Sequence, residues 1–399
     1  MYNDLIRNFL TIRYNPTDKS FLNPVTTKNF QQKICDSSGI KLEKMLKETI
    51  KERFSNTDET IAVSLSSGID STLCLGLLRN VLPDRKIVGI CGVFEGGFDE
   101  SKIAKNIAEK FNADFKICHM SSVFSSMPEL INIAEVPKWN TYQHLIAKEA
   151  KKHGNILVTG DGADEIFGGY TFRYEKFLYL LKPKMSWKEK TLNYLECHNR
   201  DWVPDQKNIF EKKIRFDWNK IYSHFKKYFS NKLIPIEQVF LADFNGKLLF
   251  DFIPSGKKIY SHYGINGISI FLEPKIIDLG LRLKLEDKYD IKNNIGKIVL
   301  RKITKRLKIK HINEKKGFSP GLLLDWEKHG NDICQKYLLE KNSNIYKQKW
   351  INYLWVEAAF KKVNTDGDIR YLNRLISILA IEIWYRVFVT KEMSNKQKL

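Results

Sequence analysis

The stretch TIAVSLSSGIDST, residues 60–72, decides the fold. A short apolar, β-branched run stops at a cluster of serines and a glycine. A helical pattern, TLCLGLLRNVL (72–82), comes at once after it. This is a strand, a tight turn and a helix. The alternation repeats downstream. KIVGICGVF (86–94) reads as a second strand and ESKIAKNIAEKF (100–111) as a helix with an acid-rich first turn. DFKICHM (114–120) reads as a third strand. NTYQHLIAKEAKKHG (140–154) is a helix with a glycine stop, and NILVTG (155–160) is a fourth strand. Strands alternating with helices predict an α/β fold, a parallel sheet covered on both faces. Ligands in such sheets lie beyond the carboxyl ends of the strands, and both unusual loops of this chain fall there.

The flanks are read more coarsely. IKLEKMLKETIKERF (40–54) repeats apolar residues at helical spacing, whereas the first fifteen residues alternate enough to suggest a strand before the turn-rich NPTDKSFLNP. From about residue 171 the pattern becomes helical and rich in aromatics. The expected organisation is an N-terminal extension (1–40), an α/β core (41–180) and a mainly helical lobe (181–399). LISILAIEIWYRVF (375–388) is short and carries Glu382 and Arg386, so it reads as a buried helix, not a membrane span.

Composition is that of a soluble globular protein: 43% hydrophobic and 28% charged over 399 residues. The net charge is +20, with basic stretches such as EKKIRFDWNK and RKITKRLKIKH in the later half. Such a surface suits polyanions, although solvated lysine-rich helix faces give the same count. Nucleic acid is not expected as the partner, but charge leaves it open. The six cysteines form no CxxC pair and no metal-ligand spacing, which suggests a reducing cytoplasm. The N-terminus has no signal-peptide pattern.

The turn after the first strand carries Ser66, Ser67, Gly68, Asp70 and Ser71. Backbone N–H groups at a helix start bind anions, and the serines add hydroxyl donors. There is no GxxxxGK[ST] pattern. An aspartate inside a phosphate loop requires a cation between carboxylate and phosphate. The loop resembles the SGGxDS pyrophosphate loop of the N-type ATP pyrophosphatases, with Ser67 in place of the second glycine. The second loop, TGDGADEIFGGY (159–170), resembles the SG(E/D)G(S/A)DE-hydrophobic-FGGY signature of the asparagine synthetase superfamily. GGFDESKIAKNIAEKF, NNIGKIVLRKI, NEKKGFSPG (313–321) and SILAIEIWYRVF resemble further segments of that family, so the resemblance runs from about residue 40 to 390.

The resemblance implies a PP-loop core that binds ATP and Mg²⁺. Asp70 and Asp164 are its implied metal ligands. Ser64, Leu65, Ser66, Ser67, Gly68, Asp70, Ser71, Val93, Thr159 and Gly160 are its implied nucleotide-binding residues. Lys297, in the family's KxxLR segment, is the implied cation at the reaction centre, with Arg301 four residues on. Asp161 occupies a position where the family carries an acid and its β-lactam synthetase relatives carry tyrosine. A carboxylate there can take a proton from an attacking amine. Glu165 is either part of this acidic set or a structural acid capping the following turn. The family activates a carboxylate at the α-phosphorus of ATP, releases pyrophosphate and forms an amide.

The resemblance has gaps. Glutamine-hydrolysing members begin with a glutaminase domain whose N-terminal cysteine is the nucleophile. This chain begins Met1-Tyr2, with about 40 residues before the synthetase region, so no glutaminase domain is expected. LTIRYNPTDKSFLNPVTTK faintly resembles the end of its linker. The amine is then expected from ammonia, a separate glutaminase or an amine-bearing substrate. The family's EVRVPFLD segment reads NGISIFLE (266–273) here, its DRMSM-like segment is not recognisable in SGKKIYSHYG, and EVPKW (135–139) matches only loosely. The acceptor is therefore read as aspartate or as another carboxylate: a sugar acid, an amino acid or a peptide. A tRNA-modifying PP-loop enzyme and a nucleotide-binding scaffold are the readings from other classes. Self-association into a homodimer stays open.

Overall fold

The computed structural model describes residues 2–198, 202–309 and 321–399. Five strands form one parallel sheet: β1 (Ile61–Ser64), β2 (Ile87–Val93), β3 (Asp114–His119), β4 (Ile156–Thr159) and β5 (Asn266–Ser269). Their order is β3-β2-β1-β4-β5. Central strands buried on both faces need no polar alternation, which is why β1, β2 and β4 are almost wholly apolar. Successive residues still divide between two cores. Ile61, Val63, Ile87, Cys91, Ile156 and Val158 point into one, and Ala62, Val88, Ile90 and Leu157 into the other. The first core is closed by α2 (Ile40–Phe54), α3 (Ile69–Val81) and α4 (Ser101–Lys110), and the second by α6 (His144–Lys151).

β1 pairs with β2 on one side and β4 on the other, with Ile61 opposite both Ile87 and Ile156. The chain thus leaves β1 in one direction for β2 and later returns on the opposite side for β4. A crevice opens at the carboxyl ends where strand order reverses. The loops after β1 and β4 meet in it.

One expectation is corrected. The N-terminal segment is a helix, α1 (Asn3–Ile12), not a strand. Leu5, Ile6, Phe9 and Leu10 recur at helical spacing, and Ile6 and Leu10 are fully buried. Residues 181–399, expected as a mainly helical lobe, also contribute β5, which joins the sheet beside β4. Its four residues, NGIS, are half-exposed at the sheet edge, so they carry little apolar signal. A further core joins α1, α5 (Met127–Ala134) and the helices Tyr353–Asp366 and Ile369–Trp384. In the last, every residue from Tyr371 to Trp384 is buried. The expected buried helix is there, and Glu382 at its core accepts the backbone N–H groups of Asn344 and Ile345 and the Arg386 guanidinium. No described helix is long and apolar enough to cross a membrane. All six cysteines are free, and only Cys35 is exposed.

Candidate functional site

The loop after β1 holds itself in shape with its own hydroxyls. Ser66 N–H donates to Ser71 Oγ (3.0 Å), the two hydroxyls meet at 2.8 Å, and Gly68 N–H donates to Ser66 Oγ (3.1 Å). Ser64 and Leu65 lie at the end of β1, where Leu65 N–H donates to Ile90 O (2.8 Å). α3 begins at the N-cap Gly68, and no side chain caps it. First-turn N–H groups at such a helix start suit an anion. Ser67 differs. Its N–H and hydroxyl both donate to Glu100 Oε2, at 2.8 and 2.5 Å. Sequence reading passed over Glu100, and the only signal was an acid just before a helix.

The second loop comes within contact of the first. A Cβ on Gly160 would lie 2.7 Å from Asp70 Cβ, and one on Gly169 would collide with the Asp164 carboxylate and the Lys297 side chain. Glycine is required at both places by close approach. Thr159 ends β4, and its hydroxyl donates to Asp161 Oδ2 (2.8 Å). Ser269 of β5 donates to Asp161 O (2.6 Å). Asp161 is exposed to solvent, although many protein atoms surround its carboxyl. Desolvation is the larger influence and pushes its carboxyl above the usual range, helped by Asp70 and Asp164 and opposed by Thr159. Val93 stands at the end of β2, where its carbonyl accepts Met120 N–H (2.9 Å).

Lys297 closes the site. Its Nζ lies 2.5 Å from Asp70 Oδ2 and 2.6 Å from Asp164 Oδ1. It is 5% exposed. Burial opposes its charge, but Asp164 and then Asp70 outweigh burial and hold the ammonium above its ordinary value. The backbone at Lys297 is left-handed (φ 57°), and its N–H donates to Phe167 O (3.1 Å). Lys297 is therefore the residue before the helix Ile298–Arg306, not a member of its face as its four-residue spacing from Arg301 suggested. Arg301 is in the first turn, with Nε on Gly296 O (2.8 Å). Burial lowers its pKa, opposed by the nearby Asp70 charge. The other face of the helix is apolar: Leu300 and Ile303 are buried, and Leu307 packs against the same core.

Glu165 is 2% exposed and accepts Tyr170 OH (2.6 Å). Burial, then Asp164, pushes its carboxyl up. This contact ties α7 (Ala163–Phe167) to the turn after it, as the structural reading of Glu165 expected. The segment at residues 313–321 lies outside the described residues except for Gly321.

Two carboxylates with a lysine between them suit a hard divalent ion. Mg²⁺ takes one or two protein carboxylates and completes its shell with water and phosphate oxygens. Among the described residues no group of three or more His, Cys, Asp or Glu side chains is placed to hold a metal unaided. Asp70 and Asp164 therefore fit a metal that arrives with a polyphosphate.

The asparagine synthase family model matches residues 41–386. The chain belongs to the asparagine synthase family. Asparagine synthetase [glutamine-hydrolyzing] 1 of Bacillus subtilis is 23% identical over 384 residues, covering 86% of this chain and 59% of that protein. A putative asparagine synthetase [glutamine-hydrolyzing] of Mycobacterium tuberculosis H37Rv is 30% identical over 170 residues, 40% of this chain and 25% of that protein. Amidase chry2 of Gibberella zeae is 29% identical over 163 residues, 36% and 24% of the two chains. This family member thus spans about six tenths of the Bacillus relative and about a quarter of the other two.

Proposed function

We propose that this chain is an ATP-dependent amide-forming ligase that adenylates a carboxylate, releases pyrophosphate and transfers an amine to the activated acyl group. The observation that carries this is Lys297 bridging Asp70 and Asp164 where the two loops meet. Bound Mg²⁺ would supply charge neutralisation between the carboxylates and the phosphates. The loop residues 66–71 hold the pyrophosphate through backbone and hydroxyl donors. Lys297 leaves the carboxylates and turns its ammonium to the charge that develops on the leaving group and then on the oxyanion. Asp161, with its raised pKa, accepts the proton of the attacking ammonium. Val93, Thr159 and Gly160, at the ends of β2 and β4, hold adenine. Ammonia, a separate glutaminase or an amine-bearing substrate supplies the nitrogen.

Aspartate is the first acceptor to test, with asparagine as product. A specific observation favours a different acid. One segment that departs from the family pattern is 266–273, which contains β5. Here Ser269 borders Asp161, while Glu273, the acid that ends the segment, is held by Arg53 through two bonds of 2.8 Å. The wall beside the attacking amine is thus rebuilt while the metal and phosphate groups are kept.

The experiment is ATP–pyrophosphate exchange with Mg²⁺ across a panel of carboxylates, and then addition of ammonia or glutamine. Exchange with aspartate, and asparagine formed on adding ammonia, supports the first acceptor. Exchange with another acid alone keeps the chemistry and changes the substrate. Absence of exchange with every free acid, together with no binding of Mg²⁺-ATP, would overturn the reading.

A further inference from the structure

Two charged side chains engage the two loops. Lys297 puts a cation between the two aspartates. Glu100 puts an anion on the pyrophosphate loop, where one oxygen takes both the N–H and the hydroxyl of Ser67. Ser67 is 3% exposed beneath it. A carboxylate in front of a helix ordinarily serves that helix. Glu100 is the N-cap residue of α4, yet its side chain makes no cap bond there. Asp99 already accepts the Ser101 N–H at the start of α4 (2.8 Å). Glu100 instead reaches across to the start of α3. The second position of the loop is Ser where the related pattern has Gly, and this serine hydroxyl gives Glu100 a further donor.

Resting on the pyrophosphate-loop reading above, we infer that Glu100 is a specificity-determining residue that makes the loop select metal-complexed polyphosphate and exclude the metal-free anion. Its carboxylate competes with a bare phosphate oxygen for the Ser67 donors and repels it. Like charges a few ångströms apart in a partly buried site repel strongly. A divalent ion arriving with the polyphosphate cancels that repulsion, so the metal complex is admitted where the free anion is not. Glu100 acts on binding and takes no part in bond making.

The test is calorimetric titration of the full chain with inorganic pyrophosphate, once with Mg²⁺ and once with a chelator. Glu100→Gln keeps an acceptor for Ser67 and removes only the charge. The expected result is metal-free pyrophosphate binding at least about tenfold tighter than in the unaltered chain, with affinity for the Mg²⁺ complex changed by less than about threefold. Ser67→Gly, which removes one of the two bonds that hold Glu100, should move metal-free affinity in the same direction by less. Circular dichroism and melting temperature confirm that both variants are folded. Unchanged metal-free affinity in Glu100→Gln, or an equal loss for both forms, would overturn the inference and leave the loop reading standing. If the unaltered chain does not bind the Mg²⁺ complex, the loop reading falls and the inference falls with it.

Discussion

Two buried lysines of this molecule each meet carboxylates, and they behave in opposite ways. Lys297, in the crevice, is shared by Asp70 and Asp164, whose side chains remain 22% and 18% exposed. Lys138, from the EVPKW segment, is packed among helices. It donates to Asp251 Oδ1, to Asp251 O (2.9 Å) and to Ser255 Oγ (2.5 Å), and both partners of the ion pair are almost fully buried. Two carboxylates hold Lys297 charged. Burial, then Arg13 and Lys247, pushes the Lys138 ammonium well below its ordinary value. Asp251 lies in the π-helical segment Phe244–Phe252, an irregularity that often marks a special site. Here it aims a carboxylate at a lysine. The difference teaches what each pair is for. Lys138 is locked by three bonds with no exit. Lys297 meets carboxylates that stay partly exposed, and in the proposed reaction it exchanges them for other charges.

The largest expected effect is on the exchangeable pair. Lys297→Ala should lower ATP–pyrophosphate exchange by about a thousandfold or more, the scale of losing a preorganised charge at a reaction centre. Its melting temperature should fall, though less than when the fully buried Lys138–Asp251 pair is broken, and Mg²⁺ should raise that temperature more than in the unaltered chain, because the two carboxylates lose their internal cation. Full exchange activity would remove Lys297 from the chemistry. Asp164→Asn and Asp70→Asn should each cut exchange by about a hundredfold or more and weaken the Mg²⁺ dependence of binding, read by titration with Mg²⁺-pyrophosphate. An unaltered metal dependence would move the metal elsewhere.

The locked pair should answer in stability instead. Lys138→Met leaves Asp251 buried without its partner and should cost about 3–5 kcal/mol, seen as a lower denaturant midpoint. Exchange per folded molecule should persist. A loss of exchange with unchanged stability would erase the contrast between the two lysines.

The smallest effect is a pH dependence at the start of α6. His144 is 1% exposed, meets Tyr263 OH at 2.7 Å, and has its pKa pushed down to about 4 by burial, then by Lys148 and His262. The folded state therefore binds this proton less readily than the unfolded chain does. Stability is present above the unfolded value near 6.5 and is lost as pH falls toward 4. At pH 5 the loss should be about 2 kcal/mol, and His144→Asn should flatten that limb. An equally steep acid limb in the variant would assign it to other groups.

Much of this was legible in the sequence, for reasons that differ by element. Apolar runs ending at Ser66 and Gly160 revealed β1 and β4, because short β-branched runs bounded by serine and glycine turns read as strands. The two loops were legible because close approach demands glycine, and the glycines and the acids beside them are written locally. β5 was missed because four half-exposed residues at a sheet edge carry almost no hydrophobic signal. α1 was misread because paired apolar residues at helical spacing can pass for alternation. The left-handed turn at Lys297 depends on Phe167, 130 residues away in the chain, and the bond from Ser67 to Glu100 spans 33. Partners fixed by tertiary folding leave no local trace.

The most direct measurement traces the oxygen. With the acid that supports exchange prepared as its ¹⁸O-carboxylate, and with its amine supplied, mass spectrometry of the products locates the label. Adenylation predicts AMP carrying one ¹⁸O per amide formed, because the carboxylate oxygen attacks the α-phosphorus and leaves with it. Label in inorganic phosphate alongside ADP, or AMP formed without label, would contradict it.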